Sequence, residues 1–247
     1  MSWRQEEAQE QQERLEREIS RRRARGEPLE PLPAPTGSKK LCTSFWGQAW
    51  SRHLEAFQYY EARLPAGRSY LRKGKVLDLD IAPGTVSAVV AGSMLYDTVI
   101  HIAPLDKHRW QEIVQKSQKQ THSLLDLLTG KLGEGLLRIL TDPQEGLFPQ
   151  PGEIRFDCTC PDHADLCKHA AAVLYGVGVL LDARPELLFR LRGVDQTDLL
   201  SSASATAAEE IGSSSNGSLE GTDLSSLFGI DLAPETSVSQ QPADERS

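Results

Sequence analysis

Three of the four cysteines of this 247-residue chain sit within ten positions, and a histidine follows the last of them by two. Cys158, Cys160, Cys167 and His169 form the pattern C-x-C-x6-C-x-H. Such crowding is unlike an extracellular disulfide framework and in a reducing compartment points to a metal site. Four soft or borderline donors in two close pairs suit a closed tetrahedral Zn2+ site, one ion, with no coordination position left for water; the zinc is therefore expected to be structural rather than catalytic. Residues two apart on a strand face the same way, and a bend at Pro161 would bring the Cys158 and Cys160 sulfurs together. In a helix two positions differ by about 200°, so Cys167 and His169 share one metal only if a helix begins between them. The apolar stripe Leu166, Ala170, Val173, Leu174, Val177, Leu180 and Leu181 continues as that helix. Three readings stand beside zinc at this point: reduced buried thiols, a redox-active thiol pair, and a ligand set in which His163 replaces His169. Cys42, far away in sequence, reads as an ordinary free thiol.

Four segments follow from composition. Residues 1–40 are a charged arm, with Arg21-Arg22-Arg23-Ala24-Arg25 offset by the acids before it, and then the Pro-rich linker Glu27–Ser38. In the arm Leu15 and Ile19 are the only large apolar residues of a strong helix-forming run, which predicts a solvated helix or coil. Residues 41–150 carry an amphipathic helix over Thr43–Leu64, with Trp46, Trp50, Leu54 and Phe57 as core and Thr43 or Ser44 as cap. Three β segments follow, Val76–Ile81, Thr85–Val90 and Tyr96–Ile102, punctuated as an antiparallel meander. Two or three helices are then expected over 106–140, including Trp110, Ile113 and Val114 and the run Leu124, Leu125, Leu127 and Leu128. Residues 151–200 hold a strand at Ile154-Arg155-Phe156, the cysteine cluster and its helix. Residues 201–247 contain eight acidic residues and one basic, Arg246, out of a chain charge of −8. They read as a disordered, Ser-rich acidic tail, interrupted by the apolar island 224–232.

At the cysteine cluster the sequence resembles the SWIM zinc-finger family, whose pattern is C-x-C, a variable spacer, then C-x-H leading into a helix; all four ligand positions match. The Trp46/Trp50 helix, the run Gly67–Ile81 and the segment Leu187–Gly193 look like those of stand-alone bacterial SWIM proteins, over roughly residues 41–200. The resemblance implies a partner, a Swi/Snf-type helicase, and a role as a DNA-binding or protein-binding module.

The residues themselves offer two surfaces. Arg68, Tyr70, Arg72, Lys73 and Lys75 gather four cations and one aromatic with no acid among them, joined by Arg155, Lys168, Arg190 and Arg192 around the cysteines, and form the candidate nucleic-acid contact. Leu224, Leu227, Phe228, Ile230 and Leu232 form the candidate protein-partner motif. Enzymatic signatures are not found: Gly130-Lys131 lacks a phosphate-binding loop, and Gly176-Val177-Gly178 lies in a helix pattern rather than after a strand. No apolar run reaches the ~18–20 residues of a bilayer span, and the N-terminus lacks a signal-peptide stretch, so a cytoplasmic protein is expected, with no membrane and no small-molecule substrate. The expectation is an α+β fold, a small antiparallel meander packed with helices and followed by a zinc-stabilised strand–knuckle–helix finger, with disordered termini. Its function is to bind DNA, protein or both without catalysis. The alternative is a pure protein–protein adaptor with no nucleic-acid contact, and a further one a redox-active thiol protein.

Overall fold

The computed structural model describes residues 3–33, 40–118 and 134–199. Along the chain these give α1 (Trp3–Ala24), α2 (Phe45–Glu55), a 3-10 turn (Gln58–Tyr60), α3 (Leu64–Arg72), β1 (Val76–Ala82), β2 (Thr85–Ala91) and β3 (Leu95–Ile102). There follow α4 (Lys107–Gln118), α5 (Glu134–Leu140), β4 (Ile154–Cys158), α6 (Lys168–Ala183) and α7 (Glu186–Arg192). The strands form one antiparallel sheet in the order β1-β2-β3-β4, so the fold is α+β and the cysteine segment supplies the fourth strand of the meander. No helix among the described residues is long and apolar enough to cross a membrane. The leucines at 124, 125, 127 and 128, the tail 201–247 and its motif 224–232 lie outside the described residues.

A helix that is apolar on every side has to be buried, and α6 is one. Ala170 to Tyr175 and Val177 are fully inaccessible. One side of α6 lies on the sheet, while α2 and α3 pack against its others. Glycines set the closeness of these crossings. A Cβ on Gly47 of α2 would stand 2.5 Å from the Gly178 carbonyl oxygen and collide with Asp182, and one on Gly67 of α3 would stand 2.6 Å from the Ala171 Cβ. The sequence pattern Gly176-Val177-Gly178 therefore serves helix packing. Two polar contacts fasten the same crossing: the Trp50 indole donates to the Leu174 carbonyl at 2.8 Å, and Asp182 accepts from the backbone N–H and hydroxyl of Ser44, the residue that caps α2. One hydrophobic core runs from Leu32 to Leu199, so residues 41–150 and 151–200 share it.

The chain departs from the sequence expectation in three places. The helix expected over Thr43–Leu64 stops at Glu55, where the chain turns to set Phe57 edge-on to His53 at 4.7 Å and Tyr60 edge-on to Phe156 at 5.9 Å. Residues 64–72, where the expected first helix ends and the run from Gly67 into the first β segment begins, form a helix of their own, α3, with Pro65 in its first turn, Leu64, Gly67 and Leu71 facing the core, and Gly74 at φ +64° just beyond its end. The linker is anchored rather than merely extended. Leu29 is fully buried, Pro31 bridges to Leu77, and Leu32 N–H donates to the Val76 carbonyl. Leu15 and Ile19 of α1 pack with Leu29, Leu77, Val89, Ala91 and Leu95 on the sheet face away from α6, and Arg22 pairs with Asp97 at 2.9 Å. Two apolar residues are too few for a coiled coil, but enough for a helix to close a small patch.

Gly47→Val should lower the unfolding free energy of the metal-loaded protein by about 2 kcal/mol or more, because backbone and a capping carboxylate occupy the space it needs. Gly152→Ala, with nothing within 4 Å of its added carbon, should change it by less than about 0.5 kcal/mol. Urea denaturation measures both, and equal stabilities would show that the α2–α6 crossing is looser than described.

Candidate metal centre

Each cysteine of the cluster is placed by a different local device. Cys158 closes β4 and lies opposite Thr98 of β3, whose hydroxyl stands 3.4 Å from its sulfur. Cys160 occupies the bend after the strand. Cys167 is the N-cap of α6, extended at φ −82° and ψ 164°, with its sulfur accepting the Ala170 N–H at 3.3 Å. The helix thus begins between Cys167 and His169, as the ligand geometry demands. Leu166, 2% exposed, pins the knuckle from inside.

The three sulfurs and the imidazole converge, with one ligand atom of each residue within 4.8 Å of the others. Zinc bonded to thiolates at about 2.3 Å needs sulfurs roughly 3.8 Å apart on the edges of a tetrahedron. His169 Nδ1 is 3.8 Å from the Cys158 sulfur, so the imidazole presents that nitrogen to the cluster. The Cys167 sulfur receives the Ala170 N–H, and the backbone N–H groups of Cys160 and Asp162 favour the charged forms of Cys158 and Cys160. Donors of this kind favour thiolate, and the N-terminus of α6 adds its positive end. Cys160, Cys167 and His169 are 9%, 4% and 3% exposed and Cys158 is half-buried, so the cage meets solvent mainly on the Cys158 side.

Protonation shows what such a cage requires. The Cys167 thiol, then His169, the Thr98 hydroxyl and the Cys160 N–H, hold the Cys158 thiol down at about 3 against the opposing effect of burial. Burial pushes Cys160 up, and Cys167 is pushed up by hydrogen bonding to Cys158 and by burial. By themselves three sulfurs at this separation support a single thiolate. A divalent cation reverses that repulsion and deprotonates the remaining thiols outright. The donor set, its spacing and its burial fit one zinc ion held by Cys158, Cys160, Cys167 and His169.

The imidazole is oriented by aromatic packing. Tyr96 stacks on the His169 ring at 4.3 Å and 24°, and Tyr70 meets it edge-on at 5.4 Å. The Tyr96 hydroxyl is tied to Ser93 at 2.6 Å. Gly92 makes room, since a Cβ there would stand 2.7 Å from the Tyr96 ring and 3.1 Å from His169 Nε2. That nitrogen is buried and has no hydrogen-bond partner among the described residues. Metal-bound histidines usually donate through their second nitrogen; here packing sets the ring instead.

The SWIM zinc-finger family model matches residues 157–177. The uncharacterized protein Rv2102 of Mycobacterium tuberculosis is 31% identical to the chain over 191 residues, an alignment that covers 74% of this chain and 69% of that protein. The chain belongs to the SWIM zinc-finger family. No solved structure matches it significantly. Within the SWIM finger the ligand choice is His169: His163 is exposed, outside the four-residue cluster, and lines a surface groove with Tyr59, Arg155 and Phe156.

The other residues singled out from sequence fall in different places. Arg68 is engaged away from the finger: it pairs with Glu55, donates to the Tyr175 hydroxyl at 3.1 Å and lies over the Tyr175 ring. Tyr70 lies against the finger's histidine, with the Lys75 and Lys168 ammonium groups 5.2 and 5.5 Å from its ring centroid. Arg72 and Lys73 are exposed at the end of α3. Arg155 is exposed on the face of β4 opposite Cys158, and Arg190 is exposed on α7. Arg192 is fully buried, donating to the Ala103 carbonyl and pairing with Glu153, which takes it out of any surface. Cys42 is 2% exposed and its thiol is pushed up to about 11 by burial, so it is no nucleophile. Tyr96, Thr98 and Gly92 were missed because their roles depend on the β3–β4 pairing and on a ring-sized gap, neither of which leaves a local signal.

Replacing Cys158, Cys160 or Cys167 by Ser, or His169 by Asn, should abolish stoichiometric zinc binding, and His163→Asn should retain one zinc per chain; elemental analysis of each purified variant decides between the two histidines. Tyr96→Leu should weaken zinc about 10- to 100-fold, as expected when support behind a ligand is lost, in competition with a chromophoric chelator. At a temperature where circular dichroism shows the stripped chain still folded, zinc binding at pH 7 should release about two protons, those of Cys160 and Cys167, so that loading falls as pH drops. Calorimetry in buffers of differing ionisation enthalpy counts them, and a count of three would contradict an ionised Cys158.

Proposed function

We propose that this SWIM finger is a non-enzymatic binding module whose basic flank contacts the phosphate backbone of DNA. The observation that carries the reading is the convergence of Lys75 and Lys168 on one ring beside the finger's histidine, with Arg72 and Lys73 exposed next to them. Phosphate contact requires clustered cations and no base readout, and it makes affinity steeply dependent on salt. The electron-rich ring of Tyr70 attracts both ammonium groups, at 5.2 and 5.5 Å from its centroid, and so keeps two cations on this flank. Nothing in this flank requires a catalytic group.

The accessory role beside a Swi/Snf-type helicase is supported by the family resemblance, and co-purification of the intact chain with such a helicase tests it. The tail motif Leu224, Leu227, Phe228, Ile230 and Leu232 is the segment we propose for that contact; a chain cut after Ser215 that still recovers the helicase would remove it from the reading.

Binding of duplex and single-stranded DNA across a salt series tests the flank. The metal-loaded chain should bind at low salt, and Lys75→Gln with Lys168→Gln should weaken binding to all sequences alike and reduce the slope of log affinity against log salt by about 2. Absence of binding at low salt would overturn the DNA reading and leave the adaptor function.

A further inference from the structure

One ring in this protein belongs to two sites at once. Tyr70 meets the ligand ring of His169 edge-on at 5.4 Å and 68°, and the same ring carries the ammonium groups of Lys75 and Lys168 at 5.2 and 5.5 Å. We infer that Tyr70 couples the metal centre to the basic flank, so that zinc occupancy and polyanion binding strengthen each other. The inference rests on the flank being a phosphate-binding surface and assigns that surface its regulation.

Three observations carry it. First, His169 has no hydrogen bond at Nε2, so its ring is positioned by the metal-facing Nδ1 on one side and by the Tyr96 and Tyr70 rings on the others. A change in the hold on Nδ1 is therefore felt directly by Tyr70. Second, Lys168 lies between two ligands, Cys167 and His169, in the first turn of α6. Metal binding fixes the backbone on both sides of it and so fixes where its ammonium group starts from. Third, Tyr70 stands one turn after Gly67 on α3, where an added Cβ would lie 2.6 Å from the Ala171 Cβ, so the backbone that carries the ring is held close against α6, the helix that begins at the ligands. With the metal bound, the two lysines are gathered on a stationary ring. Without it, the histidine edge, the Lys168 backbone and the ring lose their common reference.

Coupling between two ligands is reciprocal, so a metal that raises the affinity for DNA requires that DNA raise the affinity for the metal by the same factor. The test measures zinc affinity by chelator competition in the full chain, with and without saturating short duplex DNA at low salt, for the parent, Tyr70→Phe, Tyr70→Leu and Lys75→Gln. In the parent, DNA should tighten zinc at least about fivefold, the lower end of ordinary coupling between sites. Tyr70→Phe keeps the ring and should keep that factor. Tyr70→Leu should bring it close to one while still binding one zinc. Lys75→Gln, which removes no ligand atom and leaves the Tyr70–His169 ring contact in place, should also reduce the factor and leave zinc affinity without DNA within about twofold of the parent, which keeps the test valid should Tyr70→Leu fold poorly. Undiminished coupling in Lys75→Gln, or in a folded Tyr70→Leu, overturns the inference. A parent chain that does not bind DNA at low salt overturns instead the surface on which it rests.

Discussion

Three sulfurs held within 4.8 Å of one another and of an imidazole cannot all carry charge until a cation joins them. Geometry that permits a single thiolate among three cysteines is poor packing for an apoprotein and good preorganisation for zinc. The rest of the structure depends on that constraint because of where the four ligands sit. Cys158 ends the edge strand β4, and Cys167 and His169 begin α6, the helix around which the core is built. The metal ties the sheet edge to the central helix at the point where the chain passes from one to the other, and the knuckle between them has only Leu166 to bury. An apparent binding free energy on the order of 10 kcal/mol or more, typical of structural zinc, is comparable to the whole stability of a domain of this size.

The proposed phosphate-binding flank is built at the same junction. The helix that supplies two ligands also projects Lys168, and α3, packed on that helix through Gly67, projects Tyr70. Residues up to Lys75 complete the flank as the chain enters β1. The basic surface is therefore built from the walls of the metal site. Three other cations are committed to the fold: Arg22 to Asp97 and Glu27, Arg68 to Glu55 and Tyr175, and the buried Arg192 to Glu153 and the Ala103 carbonyl.

Much of this was legible in the sequence, and the particular residues show why. Ligand chemistry and spacing named the four donors, and the 200° offset between helical positions i and i+2 required α6 to start between Cys167 and His169. Period-two alternation located β1, β2 and β3 to within a residue at each end. Local signals for α3 were present as well, Pro65 near its start and Gly74 past its end, but the basic residues between them lack an obvious apolar stripe. What could not be read was pairing at a distance. The β3–β4 register sets Thr98 against Cys158 across 60 residues, and the burial of Leu29 or Arg192 depends on which surfaces the finished fold leaves open to them. A charged residue looks solvent-exposed in sequence, and only the presence of Glu153 and the Ala103 carbonyl in one cavity makes the interior acceptable to Arg192.

The central claim is that the metal is a structural member of the fold. The most direct test is thermal unfolding of freshly isolated chain, with metal content measured on the same sample before and after treatment with a chelator. One zinc per chain and a cooperative transition, lost or shifted far downward once the zinc is stripped, is the predicted result. Material isolated without metal that nevertheless melts cooperatively at the same temperature would contradict it.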